Sequence, residues 1–227
     1  MARWSGLALL LALIACGAAP AASVEPGVAA SSEEAPAPAG PGCPATVDTL
    51  SLGGLTTVEA LKGPALMVVE KEARRIGLYR QGALVTLSGA PACWPVALGI
   101  TDAGVYPPGH KVRQGDRRTP EGLYATSDKP WSSFKNAIAV HYPNAADAAA
   151  GLRSGLITQA QHDAIVAAVK AGKKPSQETR LGGEILVHGG GSAADWTWGC
   201  VALDDDALVT LRAALPAGMV AEVLILP

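Results

Sequence analysis

No block of five or more Lys or Arg interrupts the 227 residues, and the formal net charge is only −2. The electrostatic footprint of a nucleic-acid binder is therefore missing. The four histidines are scattered without close pairing and no Cys-x-x-Cys occurs, so no spacing suits a metal, and neither a metal nor a cofactor is expected. The longest apolar run, "LALLLALIAC" from Leu7 to Cys16, is too short for an ordinary membrane-spanning helix. What is present is hydrophobic content of 49 %, enough for one sizeable core.

Arg3 followed by that apolar run has the layout of an export signal, and residues 1–15 are read as one. Leu13-Ile14-Ala15-Cys16 resembles a bacterial lipobox, in which Cys16 becomes lipidated and forms the mature N-terminus. The alternative is an ordinary signal cut near Ala18 or Ala19. Either way an oxidising compartment is expected. Gly17 after the lipid cysteine, in place of an Asp, favours a periplasmic lipoprotein of the outer membrane. Residues 16–42 are rich in Ala, Pro, Ser, Gly and Glu and hold too little large apolar surface to offset chain entropy; they read as a tether.

The folded part starts near Cys43, with a lead-in over 43–62 and a main domain over 63–227. Apolar runs predict strands at Leu66–Val69, Arg75–Tyr79 and Ala83–Leu87, then through "CWPVALGI", Leu123–Thr126, Ala137–His141, Glu184–Val187 and finally Met219–Leu226. The Pro-, Gly- and Asp-rich stretch from Thr101 to Thr126 forbids long regular structure before its last residues. Asn144 is placed to cap an Ala-rich helix to Leu152, and Thr158 to Gln161 is a capping-box pattern for a second, ending at Gly172. Together they form a helical insertion over Asn144–Lys174, open to two readings, a lid or a decorated loop. Asp204 or Asp205 caps a helix from Ala207 to Leu215. The class is mostly β with a few helices.

If Cys16 carries lipid, three cysteines remain, an odd number. Cys43 and Cys93, both beside prolines, are the favoured disulfide pair, whose closure pins the end of the tether onto the sheet. Cys200 is then free. It lies twelve residues after His188 in "ILVHGGGSAADWTWGCVALDDDAL". A His beside a thiol either takes its proton or lowers its pKa, and Gly199 allows backbone N–H groups close to an oxyanion. Such a pair arises often by chance, and spacing alone favours the plainer reading, a buried Cys and a surface His.

Three ordered motifs, "VVEKEARRIGLYRQGALV", "GDRRTPEGLYA" and "VHGGGSAADWTWGCVAL", resemble the L,D-transpeptidase (YkuD-type) catalytic domain from roughly Gly63 to Pro227. The resemblance implies a β-sandwich-like fold, peptidoglycan stem peptides as substrate, and a cysteine nucleophile. Matched residue by residue, Cys200 is the nucleophile and His188 the base; Gly189 follows the base, Thr197 holds the Ser/Thr position and Gly199 precedes the nucleophile. Two departures stand out: Trp198 occupies the position of a second His, and Ala202 that of an Arg, which removes a guanidinium from the site. The "TWGCVAL" ending is similar to a subgroup that includes cell-wall hydrolases, so a transpeptidase forming 3-3 cross-links or protein attachments and an L,D-carboxypeptidase or amidase both fit. A murein-linked lipoprotein is a further candidate partner, and the membrane another, through the N-terminal lipid.

Asp116 and Arg118, with Arg117, are candidates for contact with the substrate's carboxylates or amine, although a turn of solvated charges is the plainer reading. Trp196 and Trp198 either wall the thiol or simply pack. "HGGG" also resembles a lipase oxyanion loop, but no Gly-x-Ser-x-Gly elbow follows. A non-catalytic cell-wall binding module is the remaining rival.

Overall fold

The structure is a computed structural model that describes residues 42–134, 136–215 and 221–227. The expected signal, the lipidated Cys16 and the tether up to residue 41 lie outside the described residues, as does the start of the last predicted strand at Met219. No described helix is long and apolar enough to cross a membrane.

Eleven strands and three α-helices are described: β1 Leu66–Glu70, β2 Arg75–Arg80, β3 Ala83–Leu84, β4 Thr86–Leu87, β5 Ala90–Pro91, β6 Cys93–Pro95, β7 Gly122–Asp128, β8 Ile138–Val140, α1 Ala145–Arg153, α2 Gln159–Lys170, β9 Leu186–His188, β10 Val201–Ala202, α3 Asp205–Ala214 and β11 Glu222–Leu226. Nine of the strands form one mixed sheet in the order β10-β9-β8-β7-β11-β1-β2-β3, with β6 also on β2. Its parallel pairs are β1 with β11 and β9 with β10.

The apolar run of β1 marks a central strand buried on both faces. Side chains alternate: Met67 and Val69 join Ile76, Leu78, Val223 and Ile225 on one face, while Leu66 and Val68 join Tyr79, Leu224 and Leu226 on the other. The first face is covered by the helices through Ala148, Ile165, Leu208 and Leu211. The second is covered by the lead-in, through Val47, Leu50, Leu52, Val58 and Leu61. Each large side chain so buried contributes about 1.5–3 kcal/mol, and an acid at Val68 would open the layer between the sheet and the lead-in. A Cys43–Cys93 disulfide ties the lead-in to β6.

Asn144 and Thr158 both close capping boxes, with Asp147 and Gln161. Asp204 stands at the N-cap of α3, yet its side chain makes no cap bond, because its carboxylate accepts from the N–H and hydroxyl of Ser192 instead. Two strands differ from expectation. Ala83–Leu87 divides at Val85, where the chain leaves β2 and pairs into the β4–β5 hairpin. The strand through "CWPVALGI" stops at Pro95, and its apolar remainder serves the loop described next.

Candidate active site

β9 and β10 run parallel, with Val187 opposite Val201 and His188 opposite Ala202. Cys200 immediately precedes β10 and is therefore level with Leu186, whose N–H points at its Sγ from 3.4 Å. Leu186 and His188 are two residues apart on one strand and share a face, so the thiol and the imidazole are brought to the same side of neighbouring strands.

The eleven residues between them are pinned at many points. A Cβ on Gly189 would lie 2.1 Å from Asp205 Oδ1, the atom that accepts from the N–H of Gly190. Asp195 receives the Arg74 guanidinium at 2.7 to 3.1 Å and the Leu98 N–H at 2.8 Å. The Leu98 carbonyl takes the N–H groups of Trp196 and Thr197, and Ala97 bridges Ala202. That is the role of the run after Pro95: it is a platform under the loop.

Gly199, at φ +112°, has the Arg118 carbonyl 2.6 Å from where a Cβ would be. Only glycine fits. Its N–H is held by Thr197 Oγ1 at 3.2 Å, and the same hydroxyl donates to the Cys200 carbonyl at 2.8 Å. Thr197, which holds the Ser/Thr position of the motif and is a candidate from the sequence for substrate contact, is buried and braces the thiol's backbone. Gly199 is thereby committed as a donor; the Cys200 N–H has no partner among the described residues and is the amide left open for an oxyanion.

His188 is buried, and its Nδ1 lies 2.6 Å from the Gly189 carbonyl. A carbonyl only accepts, so the proton sits on Nδ1 and Nε2 keeps its lone pair. Phe134 stacks on the ring at 4.0 Å between centroids, and Trp196 meets it edge-on at 5.5 Å. Burial lowers the imidazole pKa, against the opposing effect of the Gly189 carbonyl. Cys200 is half-buried and free; burial raises its pKa, while the Leu186 N–H and the charges of Lys129 and Lys111 act the other way. Both shifts favour the uncharged forms, a thiol and an imidazole, an arrangement suited to proton transfer on attack.

A cavity of about 410 Å³ opens at Cys200, lined by Trp198, Arg117, Lys111, Gln177 and Glu184 among others. A second, of about 430 Å³, lies beside Phe134, Gly189, Gly190 and Asp205. Asp116 is not free to meet a substrate. Its carboxylate accepts from the N–H groups of Val112, Arg113 and Arg118 and from Lys111. Burial alone would raise its pKa, but those donors hold it below the ordinary value. Arg118 contributes its backbone, through Asp116 and the contact with Gly199. Arg117 is the arginine at the cavity, with its guanidinium 3.7 Å from the Trp198 ring centre.

Phe134 carries no signal in the sequence, and although Arg74 and Asp195 lie within two of the motifs quoted above, their pairing across 121 residues is not legible there.

A family model described as the L,D-transpeptidase catalytic domain (YkuD) matches residues 64–225. Among solved structures, the helical cell shape determining protein Pgp2 from Campylobacter jejuni is 22 % identical with a TM-score of 0.43, over 71 % of this chain and 46 % of its own. Bd1075 from Bdellovibrio bacteriovorus is 21 % identical (TM-score 0.39; 74 % and 49 %), and an L,D-transpeptidase from Mycobacterium smegmatis is 12 % identical (TM-score 0.37; 72 % and 59 %). The chain spans about half the length of these relatives. Comparison with curated protein sequences gave no match.

Proposed function

Since this chain belongs to the L,D-transpeptidase (YkuD) catalytic domain family, we propose that it is a cysteine-dependent acyltransferase acting on peptidoglycan stem peptides. The observation that carries the reading is the placement of Cys200, a free thiol opening to a cavity, on one face with a His188 whose tautomer is set by the Gly189 carbonyl.

In the first step the Cys200 Sγ attacks the carbonyl carbon of the third stem residue, a diamino acid, and His188 Nε2 accepts the thiol proton. The Cys200 N–H stabilises the oxyanion. Collapse breaks the amide C–N bond, His188 returns the proton to the departing amine of the terminal D-Ala, and an acyl-thioester remains. In the second step the side-chain amine of another stem, or of a protein to be attached, attacks the thioester and regenerates the thiol. Water in place of the amine makes the enzyme an L,D-carboxypeptidase or amidase, with murein-linked lipoprotein as a further substrate.

The proposal places the chain outside the cytoplasm as a lipoprotein anchored through Cys16, tethered by residues 17–42, with the outer membrane as its site. The motif at Leu13–Cys16 supports the anchor.

The test is mass spectrometry of tetrapeptide muropeptides and of murein-bound lipoprotein after incubation with the purified chain or its Cys200→Ala variant. Cross-linked dimers formed only by the wild type establish transpeptidation; tripeptides or released lipoprotein establish hydrolysis. Identical products from both proteins, with no adduct on Cys200, would overturn the catalytic reading in favour of a binding module.

A further inference from the structure

The loop from Lys111 to Thr119 is pressed against the Cys200 loop and against the platform of residues 96–100 beneath it by one close backbone approach each. The Arg118 carbonyl abuts Gly199, and the Arg117 carbonyl abuts Gly99, where a Cβ would lie 1.8 Å away. Arg117 itself has φ +61°, a left-handed conformation for a residue with a Cβ. Strain of this kind, on the order of 1–2 kcal/mol, gathers at working sites. It aims the guanidinium into the cavity that holds the thiol.

The other charges lining that cavity are neutralised within the protein. Lys111 donates to Asp116 and to the Arg113 carbonyl. Glu184 pairs with Lys129 and Lys174. Arg117 differs. Its Nη2 meets Asp102 Oδ1 at 2.7 Å, but the Asp102 side chain is 91 % exposed, so little holds it there. Its Nη1 is buried and has no hydrogen-bond partner. The cover over it is the Trp198 indole, itself 75 % exposed and therefore weakly held. A guanidinium with one donor edge on a replaceable carboxylate and another unsatisfied beneath a displaceable ring is arranged to exchange that carboxylate for a better one.

We propose that Arg117 is a specificity-determining residue that binds a carboxylate of the acyl-donating stem peptide, and that Asp102 occupies this position until the substrate displaces it. The inference rests on the acyl-transfer reading above and deepens it: the guanidinium missing at Ala202 is replaced by one from a different loop. On binding, the ligand carboxylate takes the Arg117 edge, the indole swings aside and the unsatisfied Nη1 gains its partner.

The departing terminal residue offers one such carboxylate, and a diamino acid that bears a side-chain carboxylate offers another. The experiment uses three synthetic tetrapeptide stems, one with both carboxylates free and one with each amidated in turn, and follows adduct formation on Cys200 by intact-protein mass spectrometry. Wild type is expected to react about ten- to a hundred-fold more slowly with one of the amidated stems, which identifies the carboxylate recognised. Arg117→Gln slows the free stem to that same rate and abolishes the discrimination. Asp102→Asn, an exposed change that leaves the fold intact, speeds acylation at subsaturating free stem by up to about five-fold. Discrimination unchanged in Arg117→Gln, no discrimination in wild type, or slower acylation in Asp102→Asn overturns the inference while the acyl-transfer reading stands. A wild type that forms no adduct with any stem overturns both.

Discussion

Phe134 lies flat against His188, with ring centroids 4.0 Å apart and 24° between the planes. The phenyl ring keeps water from one face of the imidazole, and this desolvation lowers the His188 pKa from its ordinary 6.5. In the proposed mechanism His188 accepts a proton, which it does only when neutral. The acid limb of the kcat/KM profile is therefore expected below pH 6.5. Phe134→Ala admits water, raises the pKa and moves that limb up toward the ordinary value. A pH–rate profile of the two proteins checks this; a limb that stays in place removes Phe134 as the desolvating group.

Thr197 invites a pair of substitutions. Its hydroxyl accepts from Gly199 and donates to the Cys200 carbonyl, so it sets the backbone on which the thiol and the open Cys200 N–H both depend. Thr197→Val keeps the shape and loses both bonds. It is expected to lower stability by about 1–3 kcal/mol and acylation by about ten-fold, whereas Thr197→Ser retains most of both. Denaturant midpoints and rates of Cys200 adduct formation separate the two effects.

What the sequence disclosed follows from the range of the forces involved. Asn144 and Thr158 act on N–H groups two or three residues away, and both helix starts were legible for that reason. The alternation of Met67 and Val69 against Leu66 and Val68 is a property of the strand alone. The "HGGG" and "WGC" stretches also carry their own signal, since Gly189 and Gly199 stand where a neighbouring oxygen leaves no room for a Cβ. What was not legible depends on distant partners. The run Val96 to Ile100 reads as strand because it is apolar, yet its N–H and carbonyl groups meet Arg74, Thr197 and Ala202 rather than one neighbouring strand. Arg117 reads as a solvated turn residue until Trp198, 81 positions on, is found across its guanidinium.

Lys71 is 1 % exposed, on the turn between β1 and β2, and its ammonium meets Glu121 Oε1 at 2.5 Å and the Gly109 carbonyl at 2.8 Å. Burial lowers its pKa, and Glu121 opposes that shift. Removing the acid alone strands a buried cation. Glu121→Gln is expected to destabilise by about 3–5 kcal/mol, while the double variant Lys71→Met, Glu121→Gln recovers much of the loss. Urea unfolding with an unchanged m-value measures both; a double variant no better than the single shows that the ammonium's carbonyl contacts matter more than the ion pair.

The Cys43–Cys93 bridge closes a loop across 50 positions and fastens the lead-in, whose Val47 and Leu61 cover the face formed by Leu66, Val68 and Leu224. In the chain-entropy account, opening such a loop costs about 4 kcal/mol through the unfolded state. The site lies on β9, β10 and the loops beside them, and the lead-in does not touch it through any bond to His188 or Cys200 among the described residues. Cys43→Ser with Cys93→Ser is therefore expected to lower the unfolding midpoint strongly while the rate of Cys200 acylation at low temperature stays near that of wild type. Mild reduction of the wild-type chain should reproduce the same split, since Cys200 is already a free thiol. Loss of acylation in parallel with stability would instead mean that the lead-in holds β1 and β11 in the register on which the position of β9 depends.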